Sequence, residues 1–326
     1  MRAPEFWHRR ESPLAALLSP LGRLYGGAGR LRNRLARPVR LARPVICVGN
    51  LTAGGAGKTP VALALAKALK GRGLKPHFLT RGYGGTVAGP LRIDPARHGF
   101  REVGDEALLL AASAPCWIAR ARPAGGQQAV AAGADVIIMD DGLQNPSLEK
   151  DLSLLVLDGG YGLGNGRLMP AGPLRESLQS ALPRLAAAVV VGEDACGIAA
   201  LIKGRLPLLL AELVPDEDAR ALAGKKVVAF AGIGRPQKFF ATLETLGCRL
   251  MARHEFADHY AYTPDDIMHL VEEASAAGAE PLTTEKDLVR FPPEARRMVR
   301  AVKVELVWRD PEALARLLAP LTSPHG

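Results

Sequence analysis

The sequence predicts an α/β protein: a mostly parallel sheet with helices on both faces, followed by a smaller C-terminal α/β domain. Three observations predict it. Short apolar runs of strand length alternate with Ala- and Leu-rich helical stretches along nearly all 326 residues, without an internal repeat. A glycine-rich turn joins the first strand to its helix and ends in Lys-Thr. A later apolar run ends in paired aspartates, Asp140-Asp141, before Gly142.

The first strand is Pro44 to Val48, and a helix follows from Val61 to Leu69. Between them lie Gly49-Asn50-Leu51 and then Thr52-Ala53-Gly54-Gly55-Ala56-Gly57-Lys58-Thr59. Strand, glycine turn, Lys-Thr and helix form the layout of a phosphate-binding loop, which makes the fold P-loop NTPase-like. Glycines let backbone N–H groups converge, and the helix N-terminus adds partial positive charge. Lys58 can reach the outer phosphates and the Thr59 hydroxyl can ligate Mg²⁺. Thr52 stands where the strict pattern has glycine.

Composition narrows the function classes. The chain is 48% hydrophobic with few aromatics. Cys47, Cys116, Cys196 and Cys248 are widely spaced without a C-x-x-C pair, which argues against a disulfide framework or zinc finger and for a reducing compartment. No run is apolar enough for a transmembrane helix, and Pro13 and Pro20 interrupt any signal-like core. The net charge is +9, and residues 1–43 carry +8 of it, with ten Arg and two Glu. The rest is nearly neutral, so a local basic arm is expected and no nucleic-acid groove.

Three parts follow: a basic amphipathic segment (1–43), a P-loop core (44–206) and a C-terminal α/β domain (207–326). In the first, Ser12-Pro13 starts a helix, with Leu14, Leu17, Leu18, Leu21, Leu24 and Tyr25 on one face. Pro20 should kink it and Gly26-Gly27 should end it before the Arg cluster. Pattern alone leaves two options: a segment lying on an anionic membrane, or a helix packed on the domain with a solvated basic tail.

In the core, Pro76 to Thr80 is a strand running into Arg81-Gly82-Tyr83-Gly84-Gly85, at a strand end where α/β ligand sites lie. Asp105 and Glu106 open a helix, as dipole partners or as catalytic carboxylates. Cys116 to Ala119 is a further strand, and Asp135 to Gly142 is an apolar strand ending in doubled Asp, Asp140-Asp141, which suits the Mg²⁺ side of a phosphate loop. Leu152 to Leu157, Ala186 to Val191 and Leu206 to Leu213 complete the series. Arg175 and Glu176 close a Gly/Pro-rich loop, as phosphate and metal contacts or as a surface ion pair. In the last part, Val227 to Ala231 and Val304 to Trp308 are strands. His254, Asp258 and His259 could bind zinc, but lack further ligands at finger-like spacing.

These motifs, in this order, resemble the tetraacyldisaccharide 4′-kinase family: the loop to Thr59, Arg81-Gly82-Tyr83, Gly104-Asp105-Glu106, Asp140-Asp141-Gly142-Leu143-Gln144, Gly172-Pro173-Leu174-Arg175-Glu176, His254-x-Phe256-x-Asp258-His259 and Thr283-Thr284-Glu285-Lys286-Asp287. Asn145 departs from the family, which usually has His there. The resemblance implies transfer of the γ-phosphate of ATP to the 4′-hydroxyl of tetraacyldisaccharide 1-phosphate, giving lipid IVA. It also implies a peripheral enzyme on the cytoplasmic face of the inner membrane, with segment 1–43 facing an anionic surface. Asp105 becomes the base, His259 its partner from the second domain, and Lys58 and Arg175 the cations on phosphate. Residues 52–59 bind ATP. Thr59, Asp141 and Glu176 hold Mg²⁺. Asn50, Arg81, Tyr83, Glu106, Asp140 and Gln144 meet substrate. A GTPase switch would carry Asn-Lys-x-Asp, which the chain lacks, and a basic adaptor would not need the carboxylate-rich loops.

Overall fold

The computed structural model describes residues 4–9 and 11–322. Among these residues thirteen strands form two sheets: β1 Val45–Gly49, β2 Pro76–Thr80, β3 Leu91–Arg92, β4 Cys116–Ile118, β5 Val136–Asp140, β6 Leu152–Asp158, β7 Ala187–Val191, β8 Leu208–Pro215, β9 Lys226–Ala231, β10 Arg249–Glu255, β11 Glu280–Thr284, β12 Arg300–Val302 and β13 Val304–Trp308. The larger sheet has nine strands in the order β13-β8-β7-β6-β1-β5-β2-β4-β3, and the smaller has four in the order β10-β9-β11-β12. The large sheet is parallel except at its edges, where β13 runs against β8 and β3 against β4. The small sheet is parallel throughout.

Burial explains the strand sequences. β1, β5, β6 and β7 are buried along their full length, so they read as continuous apolar runs. One apolar cluster, with Val61, Leu65, Leu69 and Leu110, packs on one face of the large sheet. A second, with Leu143, Leu174 and Ile198, packs on the other. The small sheet is likewise flanked by two clusters, built on Phe240 and Leu243 and on Phe230, Ile267 and Phe291.

The expected boundary between 206 and 207 needs correction. β8 and β13 belong to the large sheet, because β8 extends the parallel series beside β7 and β13 returns to cover β8. The small sheet's strands lie within 226–302, inserted in the chain between β8 and β13.

The N-terminal helix departs from expectation too. It runs from Pro13 to Leu35, through Pro20 and through Gly26-Gly27, where an end was expected. Ser12 caps it, its side chain accepting from Ala15 N–H. The reason it continues is tertiary. Ala15, Gly22 and Gly26 form the face buried on the protein. A Cβ on Gly22 would lie 2.9 Å from the Leu168 carbonyl oxygen, and one on Gly26 would lie 2.6 Å from Leu168 Cδ1. These glycines are a contact surface. The leucines face outward: Leu17 is 75% exposed and Leu24 71%. Upstream, the Trp7 indole donates to the Pro170 carbonyl at 3.1 Å and the Trp7 carbonyl accepts from Asn165 N–H at 2.8 Å, so Trp7 and the helix both meet the 159–175 loop.

Replacing Gly22 by Ala should loosen this docking by about 1–3 kcal/mol through overpacking. Gly29→Ala, with open space around it, should instead favour the helix by about 1 kcal/mol. Native-state proteolysis within residues 13–35 measures both, with faster cleavage expected for the first and slower for the second.

Candidate active site

The loop after β1 delivers Lys58 at the first position of the helix Lys58–Lys70, and Gly57 before it is left-handed (φ +86°). The Asn50 side chain braces the loop, donating to Thr52 Oγ1 at 3.3 Å and to the Gly54 carbonyl at 3.2 Å. Lys58 Nζ lies 3.4 Å from Asn50 Oδ1 and 3.6 Å from Asp141 Oδ1. Arg175 Nη1 reaches both Asp141 oxygens, at 3.0 and 3.1 Å. Burial would raise the Asp141 pKa, but Lys58 and Arg175 hold it below the ordinary carboxylate value.

Asp140, at the end of β5, is the buried member of the pair. The Thr59 hydroxyl donates to its Oδ2 at 3.4 Å, and its Oδ1 has no partner. Burial, followed by nearby Glu106, pushes its pKa up to about 7. An orphaned carboxylate oxygen beside a P-loop threonine fits a divalent cation, which takes one or two protein ligands plus phosphate oxygens and water. The set expected from sequence is therefore rearranged. Asp140, assigned to substrate, is the carboxylate at Thr59. Glu176, assigned to metal, is ion-paired with Arg184 and accepts from Gln144 Nε2 at 3.1 Å. Gln144 Nε2 also donates to the Asn50 carbonyl at 2.9 Å, tying this strut to the loop.

A second cluster joins the two sheets. Asp105 opens the helix Asp105–Ser113 and is 3% exposed. Gly104 before it has φ +88°, and a Cβ there would sit 2.3 Å from the Tyr83 carbonyl, so only glycine lets the Arg81–Gly85 loop pack this closely. His259 Nδ1 lies 2.8 Å from Asp105 Oδ2. Arg290 Nε approaches the same oxygen at 3.6 Å and Lys286 Nζ at 4.0 Å. Burial would raise the Asp105 pKa, but the His259 hydrogen bond, Lys286 and Arg290 outweigh it and hold the group below the ordinary value. Glu106 pairs with Lys286 at 3.1 Å.

Among the described residues, Asp141 (φ +51°) and His259 (φ +59°) are the two non-glycines with left-handed backbones. Such conformations persist where surrounding structure over-determines them. At His259 that support comes through Gly232, whose carbonyl accepts from His259 N–H at 3.1 Å and from Arg290 Nη2 at 3.0 Å. Asp287, wholly buried, accepts from Arg290, Tyr262 OH and Gly232 N–H.

The remaining expected residues divide. Tyr83 is 68% exposed, its ring 6.0 Å from that of His259. Arg81 is exposed and lies near enough to Arg122 to help lower its pKa. Asn145 caps its own turn, its Oδ1 accepting from Ser147 N–H at 3.0 Å and Oγ at 2.8 Å. His254 pairs with Glu273, and no group of three metal-ligating side chains stands among the described residues. Sequence reasoning missed Arg290, Arg122 and Arg235. Arg122 is 3% exposed, with its pKa pushed down to about 10, by burial first and then by Arg81. It follows β4 at a strand end, the one signal that could have flagged it.

Comparison with known proteins fits this geometry. The family described as tetraacyldisaccharide-1-P 4′-kinase matches residues 14–322. The chain belongs to that family. A tetraacyldisaccharide 4′-kinase of Rhodospirillum rubrum is 57% identical over 324 residues, covering 98% of this chain and 97% of the relative. One from Rhodospirillum centenum is 54% identical, covering 100% and 99%. The solved structure of the "apo" form of LpxK from Aquifex aeolicus in complex with ATP is similar with a TM-score of 0.77 at 28% identity, covering 95% of this chain and 99% of that one.

Because Asp140 is held neutral below pH 7, the folded state binds a proton that the unfolded chain releases near pH 4, so stability falls as pH rises from 4 to 7. Asp140→Asn should remove that penalty. Without Mg²⁺ at pH 8 the variant should be more stable by roughly 1–3 kcal/mol, with the gain vanishing near pH 4. Thermal unfolding across that range checks it.

Proposed function

We propose that this protein transfers the γ-phosphate of ATP to the 4′-hydroxyl of tetraacyldisaccharide 1-phosphate, forming lipid IVA in lipid A biosynthesis. The observation that carries the reading is the contact of His259 with buried Asp105, in a chain of this kinase family that also has a glycine-rich loop ending in Lys58-Thr59 at a helix start.

Phosphoryl transfer needs positioning and charge neutralisation more than covalent chemistry. The loop N–H groups of residues 52–59 and Lys58 hold the phosphates. Thr59 and Asp140 would hold Mg²⁺, which would supply neutralisation of charge on the phosphate oxygens. Lys58 and Arg175, which both reach Asp141, would meet phosphate charge, and Asp141 would then help to hold the ion. Asp105 accepts the proton of the attacking hydroxyl, and its lowered pKa keeps it ionised for that task. His259 points the carboxylate and balances its charge. Glu106, with Arg81, Tyr83 and Gln144, borders the acceptor's path, and Asn50, wholly buried, acts by bracing the loop.

The acceptor carries acyl chains that leave a bilayer at about 0.8 kcal/mol per CH₂, so the enzyme works at the membrane. The N-terminal helix supports this. Its Leu14, Leu17, Leu21, Leu24, Leu31 and Leu35 are all exposed, beside exposed Arg residues, while Ala15, Gly22 and Gly26 face the protein. No described helix is long and apolar enough to cross a membrane. We place the enzyme peripherally on an anionic leaflet, at the cytoplasmic face of the inner membrane, where ATP is available.

Mass spectrometry of tetraacyldisaccharide 1-phosphate incubated with protein, ATP and Mg²⁺ should reveal a gain of one phosphate. Asp105→Asn should lower kcat roughly 10²–10⁴-fold with KM for ATP little changed. No phosphorylated lipid from the intact protein would refute the reading. Replacing Leu17 and Leu24 by Ser should weaken binding to anionic vesicles at least roughly tenfold, given about 1.5–3 kcal/mol per buried Leu. Unchanged co-sedimentation would put the anchor elsewhere.

A further inference from the structure

Arg235 lies outside the catalytic constellation described above, yet it meets the phosphate loop. It sits in the turn between β9 and the helix Pro236–Thr245, on the smaller sheet. Its Nη2 donates to the Gly55 carbonyl at 3.2 Å and to Asp158 Oδ2 at 2.5 Å. Its guanidinium stands 5.3 Å from the centre of the Tyr161 ring. Lys238, one turn into the helix, reaches the same Asp158 oxygen at 2.6 Å. Asp158 ends β6, the strand beside β1, and its other oxygen accepts from Gly160 N–H at 3.0 Å.

Two features make this more than a structural ion pair. First, two cations share one carboxylate, leaving one positive charge in excess at the rim of a loop built to gather anionic oxygens. Second, the Arg235 side chain is one-third exposed while the Asp158 side chain is one-tenth exposed, so the cation keeps an open face and the anion does not. A guanidinium has donors to spare and matches phosphate in a forked geometry that ammonium lacks.

We propose that Arg235 is a nucleotide-contacting residue of the second sheet, parked on Asp158 and turned onto the polyphosphate chain when ATP fills the loop. The inference deepens the ATP-dependent reading above and rests on it. Asp158 is then a competitor of the nucleotide, setting how much of Arg235 is free. Lys238 keeps Asp158 paired after Arg235 leaves, so the exchange strands no buried charge. Binding of ATP in this way bears on the Asp105–His259 contact through the turn that carries Arg235, because the Gly232 carbonyl in that turn accepts from His259 N–H.

Calorimetric titration of the full chain with MgATP, without lipid, tests this. Arg235→Ala should raise Kd roughly 10–100-fold, and Arg235→Lys should fall between. Asp158→Asn should lower Kd at least roughly twofold, and the gain should disappear when combined with Arg235→Ala. A rigid strut predicts otherwise: both single variants weaken binding alike. That outcome overturns the proposal, as does an unchanged Kd for Arg235→Ala or an equal Asp158→Asn effect with and without Arg235. These shifts appearing without any phosphorylation of the lipid would sustain the contact and refute the acceptor. A wild-type protein that binds no ATP would refute both.

Discussion

One hydrogen bond, between Asp105 on the large-sheet unit and His259 on the small-sheet unit, is the constraint on which the site depends. A carboxylate this deeply buried is costly unless charge and donors surround it. Here the compensation comes from the other unit: His259, Lys286 and Arg290 all converge on one oxygen. Their placement is in turn fixed by a buried Arg290–Asp287 pair and the carbonyl of Gly232. Breaking such a pair on one side typically costs about 3–5 kcal/mol, because an uncompensated charge stays behind. The two units are thus coupled by electrostatics at the point where chemistry is proposed, and the left-handed backbone at His259 is tolerated there because its surroundings impose it.

The N-terminal arm extends the same logic outward. Its helix turns Ala15, Gly22 and Gly26 to the protein and leucines to solvent, the reverse of an ordinary surface helix. It lies on Leu168, within the loop that ends in Arg175 and Glu176, and Arg32 donates to the Gln144 carbonyl at 2.7 Å. Gln144 then bonds the Asn50 carbonyl at the start of the phosphate loop. A continuous chain of contacts therefore runs from the outward-facing leucines to the loop that would hold ATP.

Much of this was legible in the sequence. The phosphate loop, the Asp-ended strand and the alternation of strands and helices are local patterns, and each stands where the periodicity put it. The role of Asp105 was not readable from local pattern, since acids at a helix start also serve the dipole; family resemblance singled it out. Other features depend on contacts that sequence spacing does not report. Gly26-Gly27 looks like a helix stop until Leu168 is seen against that face. Asp140 and Asp141 look equivalent, yet one side chain is buried at Thr59 and the other turns to Lys58 and Arg175. Arg235 and Arg290 lie far along the chain from the loop and helix they serve. β8 and β13 read as ordinary strands, and nothing local assigns them to the first sheet.

A double-mutant cycle on kcat, with Asp105→Asn, His259→Ala and both together, tests the central claim most directly. If the two act as one unit, the double variant should lose little more than the worse single one. Losses that simply multiply would contradict the account, because they would mean that each side chain acts alone.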